Sequence, residues 1–305
     1  MRPLSAYGIE TSTASVTTPL ATIYVSRTRA SPTADVRMSE APRIIAIDWS
    51  GSIAGSERTI YLAEVNNGHV TALERGRNRE RLIAHLIDVA RRDPEVIVGL
   101  DFAFSLPQWF LESKQLSSAP ELWELAAREA EDWLNRCQPP FWGRPGTTRP
   151  SLPEHFRRAD LEVPSVSGVR PKSIFQIAGA GTVGTGSLRG MPELRRLRQA
   201  GFAIWPFDPP RLPLVIEIYP RILTGQITKS SPEARAAYLS KRVPDLAADF
   251  RVRAATSDDA FDALLSAIEM AARVDELISL PTARDAQDLK EGRIWIPRTL
   301  PARSN

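Results

Sequence analysis

Carboxylates that end or interrupt apolar runs are the groups in this chain best placed to do chemistry. Ile44-Ile45-Ala46-Ile47 runs into Asp48, and Val96-Ile97-Val98-Gly99-Leu100 runs into Asp101. Such runs read as strands buried on both faces, which carry the acid to the C-terminal edge of a sheet. Glu217 stands inside a third apolar stretch, Val215-Ile216-Glu217-Ile218-Tyr219-Pro220. Asp258, Asp259 and Asp262 open a helix whose apolar stripe is Phe261, Leu264, Leu265 and Ile268. A carboxylate beside apolar surface is costly unless another charge or a metal satisfies it. Four such places point to a common partner, and a divalent cation is the simplest.

Each acid also has a plainer reading. Asp48 could cap the turn Trp49-Ser50-Gly51-Ser52. Glu217 could form a structural ion pair with Arg221, four residues on. Asp258 and Asp259 could serve the helix start after Thr256 or Ser257, where acids interact well with the helix dipole. Capping accounts for Asp258 but not for Asp262, one turn in and flanking apolar surface. Asp259 and Asp262, spaced i,i+3, share a helix face. Asp101, set between apolar neighbours, has few structural roles open to it.

The elements that would position these acids follow from the pattern. Strands are expected at 43–48, 58–64 and 69–73, with Asn67-Gly68 as a hairpin turn. A helix over 79–92 ends at Asp93-Pro94 and leads to a strand at 95–101. The last strand then lies parallel to the first through a helical crossover. Residues 106–210 contain a helix at 120–137, irregular Pro- and Trp-rich stretches, a glycine-rich loop at 179–186 and a helix at 192–200. So long a connection reads as an insertion that builds a substrate wall or lid. A strand at 213–219, helices at 232–240 and 257–273, and a short strand at 292–297 complete the chain. Residues 43–300 therefore read as one α/β domain: three antiparallel strands, then parallel ones, flanked by helices.

The chain has 305 residues, 43% hydrophobic and 25% charged, and a formal net charge of +3, enough for a sizeable core and too little charge to name a partner. Five of its 39 basic residues are lysines. Arginine suits bidentate phosphate contact, although codon bias explains the excess as well. Cys137 is the single cysteine, which excludes an intramolecular disulfide and a cysteine-rich zinc site and fits a cytoplasmic protein. No stretch approaches the roughly 18 apolar residues of a membrane helix. Residues 1–42 lack a secretory signal and read as a disordered tail, or as the result of a start codon upstream of Met38.

The segments Ala46-Ile47-Asp48-Trp49-Ser50-Gly51, Gly99-Leu100-Asp101-Phe102-Ala103-Phe104, Leu188-Arg189-Gly190-Met191-Pro192, Glu217-Ile218-Tyr219-Pro220-Arg221 and Asp259-Ala260-Phe261-Asp262-Ala263-Leu264 resemble, in this order, the DUF429 family of predicted nucleases with a ribonuclease H-like fold. The last segment is also similar to the final helix of Holliday-junction resolvases. Many relatives carry a histidine just ahead of that pattern, where this chain has Ser257 and Asp258. The resemblance implies a nuclease that hydrolyses phosphodiester bonds with two Mg²⁺ or Mn²⁺ ions about 3.5–4 Å apart. It implies metal ligands at Asp48, Asp101, Asp259 and Asp262, with Glu217 as a further catalytic residue. Nucleic acid is the implied partner.

Ser50, Lys172, Arg189 and Arg221 are candidate substrate contacts, each of them also readable as an ordinary solvated or turn residue. The glycine-rich stretch lacks the Lys-Ser/Thr of a phosphate-binding loop and reads as a lid or plain loop. The turn after Asp48 resembles the phosphate-holding loop of actin-like ATPases, which share the fold. An ATPase or small-molecule kinase of that branch, or a non-catalytic nucleic-acid-binding protein, are therefore the competing functions.

Overall fold

In a computed structural model of the chain, residues 41–179, 182–225 and 227–300 are described. The expected tail at 1–42 lies almost wholly outside them. In chain order the elements are β1 (Arg43–Asp48), α1 (Ser56–Thr59), β2 (Tyr61–Asn66), β3 (His69–Glu74), α2 (Arg79–Arg92), β4 (Val96–Leu100), α3 (Gln108–Ser113), α4 (Ala119–Arg136), α5 (Arg158–Glu162) and α6 (Gly184–Gln199). There follow β5 (Ala203–Ile204), β6 (Leu214–Glu217), α7 (Pro220–Thr224), α8 (Pro232–Arg242), α9 (Ala248–Thr256), α10 (Asp258–Ala271), α11 (Val274–Ile278) and α12 (Asp288–Glu291).

Six strands form one sheet in the order β3-β2-β1-β4-β6-β5. β1, β2 and β3 are antiparallel neighbours, and β4, β6 and β5 run parallel to β1. Asn67 and Gly68 both take positive φ, 48° and 76°, as a two-residue hairpin turn between twisted strands requires. α2 begins where Asn78 accepts from the Arg81 amide at 2.9 Å, and it carries the chain from β3 back to β4. The α/β class and the mixed sheet are thus those the pattern predicts.

Alternation along β1 divides the core. Ile45 and Ile47 pack with α2, α4 and α6 on one face, through Leu82, Leu86, Trp123, Leu188 and Leu194. Ile44 and Ala46 pack with α10 on the other, through Phe261, Leu264 and Met270. Burial on both faces is why the parallel strands read as unbroken apolar runs rather than alternating ones. It also forces any charged residue of these strands to their ends.

The structure departs from the pattern at several points. Residues 56–59 make a turn of helix, so β2 starts later than expected. The helix expected at 192–200 begins at Gly184 and absorbs the end of the glycine-rich stretch. With α4 it supplies much of one helical layer, so residues 106–210 add to the core, and Ile177, Thr182, Val183, Thr185, Gly186 and Arg189 of the same region line a cleft beside Asp101. The expected strand at 292–297 is reduced to one bridge between Ile294 and Glu217. β5, α7, α9 and α11 had no clear signal in the pattern.

Candidate active site

Asp48 ends β1 and Asp101 directly follows β4. The register pairs Ile47 with Leu100, so the two acids leave neighbouring parallel strands at the same edge. The turn between them is tied down. The Trp49 amide donates to Asp101 Oδ1 at 2.6 Å, and the Trp49 indole donates to the Gly186 carbonyl at 3.1 Å. Arg79 donates to the carbonyls of Ser50 and Ser52 at 3.0 and 2.6 Å, and Arg189 donates to that of Gly51. Gly51 itself is required by space: a Cβ there would lie 2.6 Å from the Gly186 amide nitrogen at the start of α6.

α10 brings the remaining acids. Ser257 caps it by accepting from the Ala260 amide at 3.2 Å, and Asp258 is exposed in the first turn, as the capping reading requires. Asp259 and Asp262 are half-buried. Asp262 meets Lys229, whose Nζ lies 2.6 Å from Oδ1 and donates to Oδ2 at 2.8 Å. Oδ1 is buried without a well-aligned hydrogen bond.

All four of these acids are raised above the ordinary carboxylate range. Burial, then repulsion from Asp101, Asp262 and Asp259, pushes the Asp48 carboxyl well above the usual carboxylate range, with Lys229 opposing. Asp101 is likewise raised well above that range by burial and by Asp262 and Asp259, against the Trp49 amide and Lys229. Burial raises Asp262, and Lys229 and Arg221 oppose it. Asp259 is pushed up to about 6 by burial, then by Asp258 and Asp262. Acids more than two hundred residues apart in sequence therefore share one field, at the C-terminal edge of the parallel strands.

Among the described residues, no group of three or more His, Cys, Asp and Glu side chains stands in metal-holding geometry. The donor chemistry nonetheless fits a hard divalent cation. The candidates are carboxylate oxygens, the donor type such an ion takes, and those of Asp262 already meet the Lys229 ammonium.

Glu217 is placed otherwise. It is 3% exposed and receives the fork of Arg157 at 2.6 and 2.8 Å, together with the Phe104 amide at 2.9 Å. Arg157 also binds Asp160 at 2.7 Å. Burial pushes the Glu217 carboxyl up while Arg157 opposes it. Burial would by itself lower Arg157, but Asp160 and Glu217 outweigh it. The competing reading of Glu217 as an ion-pair residue is the one its surroundings match, with Arg157 in place of Arg221. A catalytic Glu217 would have to give up three hydrogen bonds.

The substrate-contact candidates are dispersed around the aspartates. Ser50 Oγ accepts from the Ser52 amide at 3.2 Å, a turn contact. Arg189 grips Glu131 at 2.7 and 2.8 Å and lines a cleft of about 390 Å³ with Trp49, Gly51, Asp101, Thr185 and Gly186. Exposed Lys172 lines a small cavity on another side of Asp101. Arg221 lines an open depression with Lys229, Thr228 and Ser230, and its Nε is buried without a partner.

Two residues of this region had no place in the sequence reading. Lys229 is one of few lysines in an arginine-rich chain, and that rarity was its only signal. Arg157 sits in an irregular stretch where nothing marks it as the partner of Glu217. In comparisons with known proteins, no family model, no curated protein and no solved structure matches this chain.

Proposed function

We propose that the chain is a divalent-cation-dependent nuclease of the ribonuclease H-like type. The observation that carries this reading is the strand register, which pairs Ile47 with Leu100 and so brings Asp48 and Asp101 off neighbouring parallel strands at one edge. Asp101 lines a cleft, and repulsion from Asp259 and Asp262 on α10 helps to raise both carboxyls. Repelling carboxylates are a standing cost that a bound cation removes. These four residues would hold Mg²⁺ or Mn²⁺, which when bound supplies Lewis-acid charge stabilisation and a more acidic water. The protein's own contribution is placement. Strand register sets Asp48 beside Asp101, the Trp49 amide orients Asp101, and the Ser257 cap fixes the start of α10. Arg221, whose Nε is buried without a partner, offers a guanidinium group suited to a backbone phosphate, whereas Arg189 is held by Glu131 and the Gly51 carbonyl. Nucleic acid is the substrate class this contact fits.

The test is cleavage of labelled single-stranded, duplex, hybrid and junction substrates with Mg²⁺, Mn²⁺ or a chelator. Cleavage is expected with either metal and none with chelator. Asp48→Asn is expected to reduce it by at least the roughly 10–100-fold that loss of an outer partner of a metal ligand costs. A folded protein that cleaves none of these substrates with either metal refutes the reading.

A further inference from the structure

We propose that the open depression beside α7, lined by Ser167, Arg221, Ile227, Thr228, Lys229 and Ser230, holds one internal phosphodiester group of a nucleic acid strand. The inference deepens the nuclease reading, on which it rests for nucleic acid as the ligand, and the site itself needs no metal.

Burial decides which residue of α7 can serve a ligand. Pro220, Ile222, Leu223 and Thr224 are buried, and Ile222 and Leu223 pack in the core shared with α10. Arg221 is the residue of this turn that lines the depression. Its guanidinium is uncommitted. Nε is buried without a hydrogen bond, and no acid among the described residues forms an ion pair with Arg221. A buried donor without a partner carries a cost that an acceptor removes.

The facing wall offers donors and no acid. Thr228 and Ser230 are exposed on either side of Lys229, and no carboxylate lines the depression. This wall is tied in place. The Ser231 amide donates to the Thr228 carbonyl at 3.1 Å, and buried Arg235 donates to the Lys229 carbonyl. The Ser231 hydroxyl accepts from the Ala234 amide at 3.1 Å and starts α8.

Charge selects the kind of phosphate. Lys229 is already matched, with Nζ 2.6 and 2.8 Å from the two oxygens of Asp262. Arg221 therefore leaves the depression a single uncompensated positive charge. A phosphodiester carries one negative charge, whereas a terminal phosphate monoester carries roughly 1.5–2 at neutral pH. The guanidinium fork suits the two free oxygens of a phosphodiester. The depression is open, with a volume of about 590 Å³, so a strand can continue on both sides of the group it holds. A strand gripped within its length is cut internally rather than from an end.

The test is fluorescence anisotropy of a labelled short single strand, with chelator present, bearing either a 5′-hydroxyl or a 5′-phosphate. Both strands are expected to bind the native chain equally. Arg221→Met is expected to weaken both and to reduce the slope of log affinity against log salt by roughly 0.7, the value of one phosphate contact to a single strand. Arg221→Lys is expected to restore that slope. Arg91→Met, which removes the same charge from an exposed position on α2, is expected to leave the slope at the native value. Native affinity and slope in Arg221→Met overturn the inference, as does an equal fall in slope for Arg91→Met. Binding that requires the 5′-phosphate, or that inorganic phosphate abolishes, assigns a terminal phosphate and also overturns it. A native chain that binds neither strand but cleaves with Mg²⁺ overturns this inference and leaves the nuclease reading standing, while loss of both binding and cleavage removes the two together. Thermal melts establish that each variant is folded before its affinity is read.

Discussion

Asp259 offers the most accessible readout of the repulsion at the site, since its carboxyl is pushed up to about 6 from roughly 3.9 in an unfolded chain. A carboxyl raised on folding favours the folded state while it is protonated. That contribution is complete below about pH 4 and is lost as pH rises through about 6. Asp259→Asn removes it, so the native protein should lose stability relative to the variant across this window. The expected difference is about 1 kcal/mol, kept small because Asp259 is partly screened by solvent. Urea denaturation of both proteins at pH 4, 5, 6 and 7 measures it, and parallel curves would show that Asp259 feels no such field. The sequence reading located this residue by its spacing from Asp262 on one helix face. It could not supply Lys229, because nothing local relates a lysine before α8 to an acid on α10. The pairing exists only through the packing of two helices and the segment between them.

Strand ends and helix starts do the positioning, and each has a weak point that can be tested. β6 delivers Glu217 into the interior, where Arg157, just ahead of α5, joins it to Asp160 within that helix. Arg157→Met would leave two carboxylates buried without a counter-charge, at an expected cost of about 3–5 kcal/mol. Glu217→Gln keeps the shape and one acceptor oxygen, enough to retain the bonds from Arg157 and the Phe104 amide that Oε2 accepts, so it should cost less. A Glu217→Gln protein of unchanged stability and abolished cleavage would instead restore Glu217 to the catalytic set. The second weak point is the contact between the β1 turn and α6. Gly51→Ala places a methyl group against the Gly186 backbone, where no side chain can swing aside. A loss of about 1–3 kcal/mol is expected, together with weaker metal response as the turn below Asp48 shifts. Equal melting temperatures for Gly51→Ala and the native protein would show that the turn has room to move. The strands that carry Asp48 and Asp101, and helices α2, α4 and α10, were legible because an apolar period marks each of them. The early start of α6 was not, since Gly184-Thr185-Gly186 has poor helix propensity. Tertiary packing against residues 174–177 overrides it: the Gly184 amide bonds to the Gln176 carbonyl at 3.1 Å and the Thr185 hydroxyl to that of Ile177 at 2.6 Å.

Among the described residues, two cores enclose one sheet, and Asp48 and Asp101 leave it at the C-terminal end of its parallel strands. The sheet was legible because apolar strands, an Asn-Gly hairpin and a crossover helix leave few arrangements open. The long region between β4 and β6 was not, since its helices have to be seen packed on the sheet before they count as core. Such a molecule, with its carboxylates crowded at one edge, should be held in tension when free of metal. Binding of a divalent cation to the folded state alone adds about 2.7 kcal/mol of stability at a hundredfold excess over the dissociation constant. For a domain of this size that is roughly 5–10 °C in melting temperature. The dependence on pH has a definite sign. Asp48, Asp101, Asp259 and Asp262 are all raised, and a proton on any of them competes with the ion. Stabilisation by Mg²⁺ should therefore be small at pH 5, grow through pH 6–7 and be largest near pH 8. The metal-free protein should follow the opposite course, because it loses stability as the same groups ionise. Melting curves with Mg²⁺ and with chelator across this range separate the two trends. A Mg²⁺ increment that is flat with pH would place the ion elsewhere on the surface, and no increment at any pH would leave the repulsion of these aspartates without the partner proposed for it.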